Sequence, residues 1–213
     1  YAPDTKPFTL LTAKMVAPRH NHTATLLRDG RILLTGGENS DGPQATAEIF
    51  DPNTGKFAAT GKMYGLRTEA QAVPLPAGRV LIAGGRSDTG NLATIEIFDP
   101  VADAFTMMDV SNDLNEARLG LTLTETTHAM YGAIAAGGVS LADPLASIER
   151  FDWDADTFQV SGVAMQDART NHLGVMLGDG KILFAGGTTA GNTGAVTGDL
   201  YDVENDSMDT PTA

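Results

Sequence analysis

The chain of 213 residues contains no cysteine, which excludes disulfides, thiolate zinc sites and cysteine nucleophiles. The redox compartment stays open, because many exported proteins lack disulfides. Bases are scarce: 14 Lys and Arg stand against 27 Asp and Glu, for a net charge of −13. That balance argues against nucleic acid or an anionic membrane as partner, since both need a basic footprint, and its plainer meaning is solubility. No apolar run reaches 18 residues, so no membrane-spanning helix is expected. No stretch of twelve residues carries a helical stripe. Gly-x-Ser-x-Gly, phosphate-loop and zinc signatures are absent as well. The first residue is Tyr1, without an initiator Met or a signal peptide, and this reads as a mature product or an excised piece.

What the chain does have is one block, four times. Arg19 leads to "RILLTGG" and "AEIFDPNTGKF", Arg67 to "RVLIAGG" and "IEIFDPVADAF", and Arg169 to "KILFAGG" and "GDLYDVENDSM". A weaker copy runs from Arg118 through "GAIAAGG" to "IERFDWDADTF". The Gly pairs begin at Gly36, Gly84, Gly137 and Gly186, in steps of 48, 53 and 49 residues. A period near fifty belongs to a radial or stacked array whose units cannot bury their apolar faces alone. The approximate repeats are 19–66, 67–117, 118–168 and 169–213, read as one domain over 1–213.

Local chemistry makes each repeat a set of strands. Asp29-Gly30 and Asp179-Gly180 separate apolar runs, a dipeptide favoured by two-residue hairpins that need positive φ. Ala77-Gly78 fills the same role less well. "TAEIF" and "TIEIF" alternate polar and apolar with period two, as a two-faced strand requires. "DPNTG" and "DPVAD" are turns, since Pro sets φ and Asp bonds its own backbone. The fold class is therefore all-β, with antiparallel four-stranded units.

The order of Arg, small residues with His at the fourth position, Asp-Gly turn, apolar run to Gly-Gly, Glu-x-Phe-Asp-Pro and a later aromatic resembles the kelch repeat. It covers nearly the whole chain. The copies depart from the family pattern: Phe or Met replaces the usual outer Trp, the third has no Asp-Gly turn, and His persists only as His22 and His172. The resemblance implies a β-propeller of four-stranded blades, and no single function, because one fold hosts many. Galactose oxidase has such blades around a copper with a Tyr–Cys cross-link; without cysteine that cofactor cannot form here, and no cofactor or metal is expected. An acidic, Thr-, Ala- and Gly-rich repeat chain also resembles bacterial secreted or cell-envelope members of the family.

Two readings of ring closure stand side by side. "PFTLLTAKM" matches an outer strand, so residues 5–16 are expected to complete the last blade and clasp a four-bladed ring shut. Alternatively, the chain is part of a larger ring or parent chain, or pairs with a second copy.

The candidate site follows from repeat logic. Arg19, Arg67, Arg118 and Arg169 hold one equivalent position at the channel mouth. Either they form a guanidinium ring for an anionic ligand, or each pairs with the acid two residues before the strand-three aromatic. The expected pairing runs around the ring: Glu48 with Arg67, Glu96 with Arg118, Glu149 with Arg169, and Asp199 with Arg19. Beside the arginines the copies differ, at His20, Asn21, Glu69 and Asn171, and so do the polar loops after the Gly pairs, "ENSDGPQ", "RSDTGNL", "VSLADPL" and "TTAGNTGA"; differences around a common mouth are where a ligand would be read. His22 and His172 read as hydrogen-bonded structural residues. His20-x-His22 lacks a third metal ligand, and His128 is expected in a solvent-exposed turn. "DWDADT" reads as a solvated turn, and Met15, Met63, Leu114 and Met165 as packing residues. The expected function is a non-catalytic scaffold that binds a protein or glycan at one face. The alternatives are a sugar isomerase or lyase using Arg and acids at the mouth, or a self-assembling structural subunit.

Overall fold

A computed structural model describes residues 11–209 of the chain. Among these, four antiparallel four-stranded sheets follow one another, each with a small two-stranded ribbon on the connection between its second and third main strands. Blade 1 contains β1 (Thr23–Leu26), β2 (Ile32–Thr35), the ribbon β3 (Glu38–Asn39) and β4 (Gly42–Pro43), then β5 (Ala47–Asp51) and β6 (Lys56–Ala59). Blade 2 contains β7 (Gln71–Pro74), β8 (Val80–Ala83), β9 (Arg86–Ser87), β10 (Gly90–Asn91), β11 (Ile95–Asp99) and β12 (Ala104–Met107). Blade 3 contains β13 (Thr122–Glu125), β14 (Tyr131–Ala136), β15 (Val139–Ser140), β16 (Asp143–Pro144), β17 (Ser147–Asp152) and β18 (Thr157–Ala164). Blade 4 contains β19 (Leu173–Met176), β20 (Lys181–Ala185), β21 (Thr188–Thr189), β22 (Thr193–Gly194), β23 (Gly198–Asp202) and β24 (Ser207–Asp209). This is the architecture of a four-bladed β-propeller.

The turns hold the register that the dipeptides announced, with a different geometry. Gly30 and Gly180 lie at φ +86° and +87°, while Asp29 and Asp179 stay out of the left-handed region. Gly30 N donates to Leu27 O at 3.0 Å and Leu27 N to Arg31 O at 2.8 Å. The loop is thus a turn followed by one left-handed glycine, not a two-residue hairpin with two positive-φ residues. Asp29 instead accepts from Arg31 N. After strand three, Asp51, Asp99, Asp152 and Asp202 each accept a backbone N–H two or three residues on, the Asx turn that nucleates the reversal into strand four.

Apolar faces are buried between blades. Leu33, Ala47 and Ile49 of blade 1 meet Val80, Ile82, Phe98 and Phe105 of blade 2 around Met63. Leu81, Ile95 and Ile97 meet Ala133, Ala135, Phe151 and Phe158 around Leu114. Ile134, Ala136 and Ile148 meet Ile182, Phe184 and Tyr201 around Met165. Met63, Leu114 and Met165 are at most 4% exposed, so the residue four before the repeat Arg is the plug of each junction. Because each strand shows one face to each neighbour, both faces are apolar, and single blades have no core of their own.

Blade 4 has its own fourth strand, β24, paired with β23. Residues 5–10 of the expected clasp lie outside the described residues. Within the described part, the chain before Arg19 bonds blade 1, through Val16 N and Ala17 N to Glu48. Along the centre β1 packs on β7, β7 on β13 and β13 on β19.

Candidate functional site

The four repeat arginines are not at the mouth. Arg67, Arg118 and Arg169 are at most 1% exposed, and the Arg19 side chain is equally buried. Each is a forked donor bound within its own repeat. Arg67 donates to Gly84 O at 3.4 Å, Thr94 O at 3.0 Å, Thr94 Oγ1 at 3.2 Å and Glu96 Oε1 at 3.0 Å. The same set recurs for Arg19 on Glu48 at 2.7 Å, Arg118 on Glu149 at 2.7 Å and Arg169 on Asp199 at 2.8 Å. Pairing around the ring is therefore corrected by one repeat: the acid belongs to the blade that the Arg opens. The reason is the backbone. Arg67 N donates to Gln44 O and Arg67 O accepts from Gly37 N, both in blade 1, while its side chain reaches blade 2. Arg67, Arg118 and Arg169 therefore each staple two blades, main chain on one and side chain on the next.

The carboxylates are held equally firmly. Glu96 accepts from Tyr64 N at 2.8 Å and Gly65 N at 3.0 Å besides Arg67. Burial pulls the Arg67 guanidinium below its ordinary pKa, with Glu96 opposing the shift; Arg stays charged throughout. These eight residues are structural pairs, not a guanidinium ring for ligands.

The mouth is built by the second residue after each Arg. Asn21, Glu69, Gly120 and Asn171 all take left-handed backbone, at φ 53°, 55°, 65° and 53°. Adjacent members bond, Glu69 N to Asn21 O at 2.9 Å and Asn171 N to Gly120 O at 2.8 Å. Asn and Gly tolerate this region, whereas Glu69 is strained there. All four line one cavity of about 390 Å³ together with His22, Thr23 and Gln71. The structure thus brings Asn21, Glu69 and Asn171 together, leaves His20 exposed at the rim, and removes Arg19, Arg67, Arg118 and Arg169 to the blade interiors.

The sequence marks the loops after the Gly pairs as binding loops without singling out the two ribbon residues that crown the mouth, Glu38 and Arg86. Arg86 of β9 bonds Glu69 at 2.9 Å and both oxygens of Glu38 at 3.0 Å. Asn21 donates to Glu38 at 3.0 Å, and His20 Nδ1 lies 3.7 Å from it. The Asn21 amide, with Arg86 and His20 nearby, holds the Glu38 carboxyl below its usual range, and Glu69 raises Arg86. The available signal was the residue directly after the Gly pair, charged in the first two copies only: Glu38 in blade 1 and Arg86 in blade 2 stand where blades 3 and 4 have Val139 and Thr188.

The histidines divide. His172 is 6% exposed, with Nε2 3.2 Å from Thr122 Oγ1, its ring edge-on to Phe184 and Nδ1 without a partner. Burial, helped by Arg169, lowers its pKa to about 4. Burial lowers His22 as well, with Arg19 assisting. His128 is half-buried, which corrects the exposed-turn expectation: its Nδ1 accepts from Met130 N and Tyr131 N, and the ring stacks on Tyr131. Asp156 of "DWDADT" is tied to Arg79 at 2.7 Å, so that turn docks on blade 2. No helix among the described residues is long and apolar enough to cross a membrane. No protein-family model matches the chain, and no curated protein matches it.

Proposed function

We propose that the blades are kelch-type and that the protein is a binding scaffold, which reads a protein or glycan ligand at the mouth lined by Asn21, Glu69, Gly120 and Asn171. One observation carries this reading. Four repeat-equivalent residues keep the same left-handed backbone yet differ in side chain, and they converge on a single cavity of about 390 Å³. Scaffold positions repeat their chemistry, as the four Arg–acid pairs do; positions that vary on a common geometry are free to specify a ligand. The lining is amide, hydroxyl and imidazole, with Glu69 already engaged by Arg86. Such a surface suits a ligand with many neutral donors and acceptors, such as sugar hydroxyls or peptide amides, bound by hydrogen bonds at modest desolvation cost. The acidic composition fits a secreted or cell-envelope setting, and a bacterial source is part of the same proposal.

The test replaces Asn21 and Asn171 by Gly, which keeps the positive φ that Ala would strain. Thermal unfolding should move by under about 0.5 kcal/mol equivalent, as for other surface changes. Affinity for a ligand identified on a glycan array or by peptide display should fall at least tenfold. Unchanged affinity for every ligand the parent binds would place recognition on another face.

A further inference from the structure

Three internal junctions share one design, and the two ends of the array carry its separated halves. At the first junction Met63 N donates to Ala45 O at 2.9 Å, Arg67 N to Gln44 O at 3.2 Å, and Gly37 N to Arg67 O at 3.0 Å. The second repeats these bonds with Leu114, Ala93, Arg118, Leu92 and Gly85, and the third with Met165, Ala146, Arg169, Leu145 and Gly138. The corresponding groups of blade 4 are Val196 O, Ala195 O and Gly187 N; those before blade 1 are Met15 N, Arg19 N and Arg19 O. Among the described residues none of these six has a backbone partner.

The apolar surfaces are split in the same way. Leu33 and Leu81 are fully covered by the next blade, whereas their equivalent in blade 4, Leu183, is 38% exposed. Phe98 and Phe151 are fully buried against the preceding blade, whereas Phe50 of blade 1 is half-buried. A Cβ on Gly84 would lie 2.8 Å from Arg118 O, and one on Gly36 would lie 2.5 Å from Arg67 O; one on Gly186 would meet nothing within 4 Å. Blade 4 therefore presents a socket with its plug missing, and blade 1 presents a plug, Met15 with the Arg19 backbone, without its socket.

We propose that blade 4 of one chain receives blade 1 of a second copy, forming a fourth junction of the internal type in trans. The occupant is specified by the hydrogen bonds: the socket needs an extended segment with an apolar residue four before an Arg, and this chain supplies that segment at its opposite end. The interface is heterologous, so copies join head to tail and close into a ring or continue as an open array, according to the rotation per copy.

Sedimentation of the whole chain over a wide concentration range tests this. The parent should self-associate reversibly to dimer or beyond. Met15→Asp and Leu183→Asp should each be monomeric, because each spoils one half of every possible junction. Mixed together they should form a one-to-one dimer, since the first retains a good socket and the second a good plug. Val196→Lys serves where Leu183→Asp fails to fold, because Val196 is 98% exposed and its replacement leaves the isolated fold intact. A parent that stays monomeric at every concentration overturns the proposal, in favour of closure within one chain or of further repeats as the natural neighbours. Association that survives both variants, or mixing that restores nothing, overturns it as well and points to a different, self-complementary face.

Discussion

Replacing Arg67 by Met distinguishes the observed ion pairing from the arrangement that repeat symmetry suggests. The guanidinium is 1% exposed and supplies four hydrogen bonds, to Gly84 O, to both oxygens of Thr94 and to Glu96. Met has nearly the same reach and keeps the packing of the stem. It leaves Glu96, also 1% exposed, as a carboxylate supported only by Tyr64 N and Gly65 N. Breaking one partner out of a buried pair costs about 3–5 kcal/mol, because the remaining charge stays desolvated. Glu96→Gln added to Arg67→Met should return part of that loss, for a coupling of about 2 kcal/mol in a double-mutant cycle. Glu48 shares no partner with Arg67, being bound to Arg19, Val16 and Ala17. The cycle between Arg67→Met and Glu48→Gln should therefore be additive within about 0.5 kcal/mol. Equilibrium urea unfolding of the single and double variants supplies all the terms. Coupling to Glu48 and none to Glu96 would refute the within-repeat pairing and the stapling role built on it.

Three further outcomes follow from the same geometry. His172 has its pKa lowered to about 4 from 6.5 by burial, so the unfolded chain binds its proton first. Stability should fall as pH drops from 6.5 towards 4, by up to about 3 kcal/mol, and His172→Gln should flatten that slope in urea titrations across the window. Gly84→Ala and Gly186→Ala carry the same left-handed cost, of about 1–2 kcal/mol. Only the first also meets Arg118 O and Leu121, so at concentrations where the chain is monomeric Gly84→Ala should melt clearly lower; equal losses would mean that blade 4 is covered. Glu69→Gly relieves a strained φ of 55° at the expense of one half-exposed ion pair with Arg86. Thermal unfolding should therefore show unchanged or higher stability, since exposed pairs contribute under about 1 kcal/mol.

The all-β class and the four units were legible in the sequence, because they rest on local chemistry that repeats. Gly30 and Gly180 set hairpin turns, Asp51 and its equivalents bond their own backbone, and Met63, Leu114 and Met165 fall on one position that must be apolar in any stacked array. The existence of four Arg–acid pairs was legible too, since a buried charge at a repeated position needs a repeated partner. Which acid serves which Arg was not. Either pairing recurs at a near-constant spacing, the acid lying 29–31 residues after the Arg of its own repeat and 19–22 before the next Arg, and the choice depends on Arg67 placing its backbone on blade 1 and its side chain in blade 2. The mouth was legible as a set of varying positions and loops, but not the part that Glu38 and Arg86 play in crowning it. These belong to ribbons that only the stacking of blades brings over Asn21 and Glu69. The state of the two ends was likewise beyond local pattern. A repeat is written alike whether its neighbour is present or absent, and only the packed structure shows Leu33 covered where Leu183 stands open.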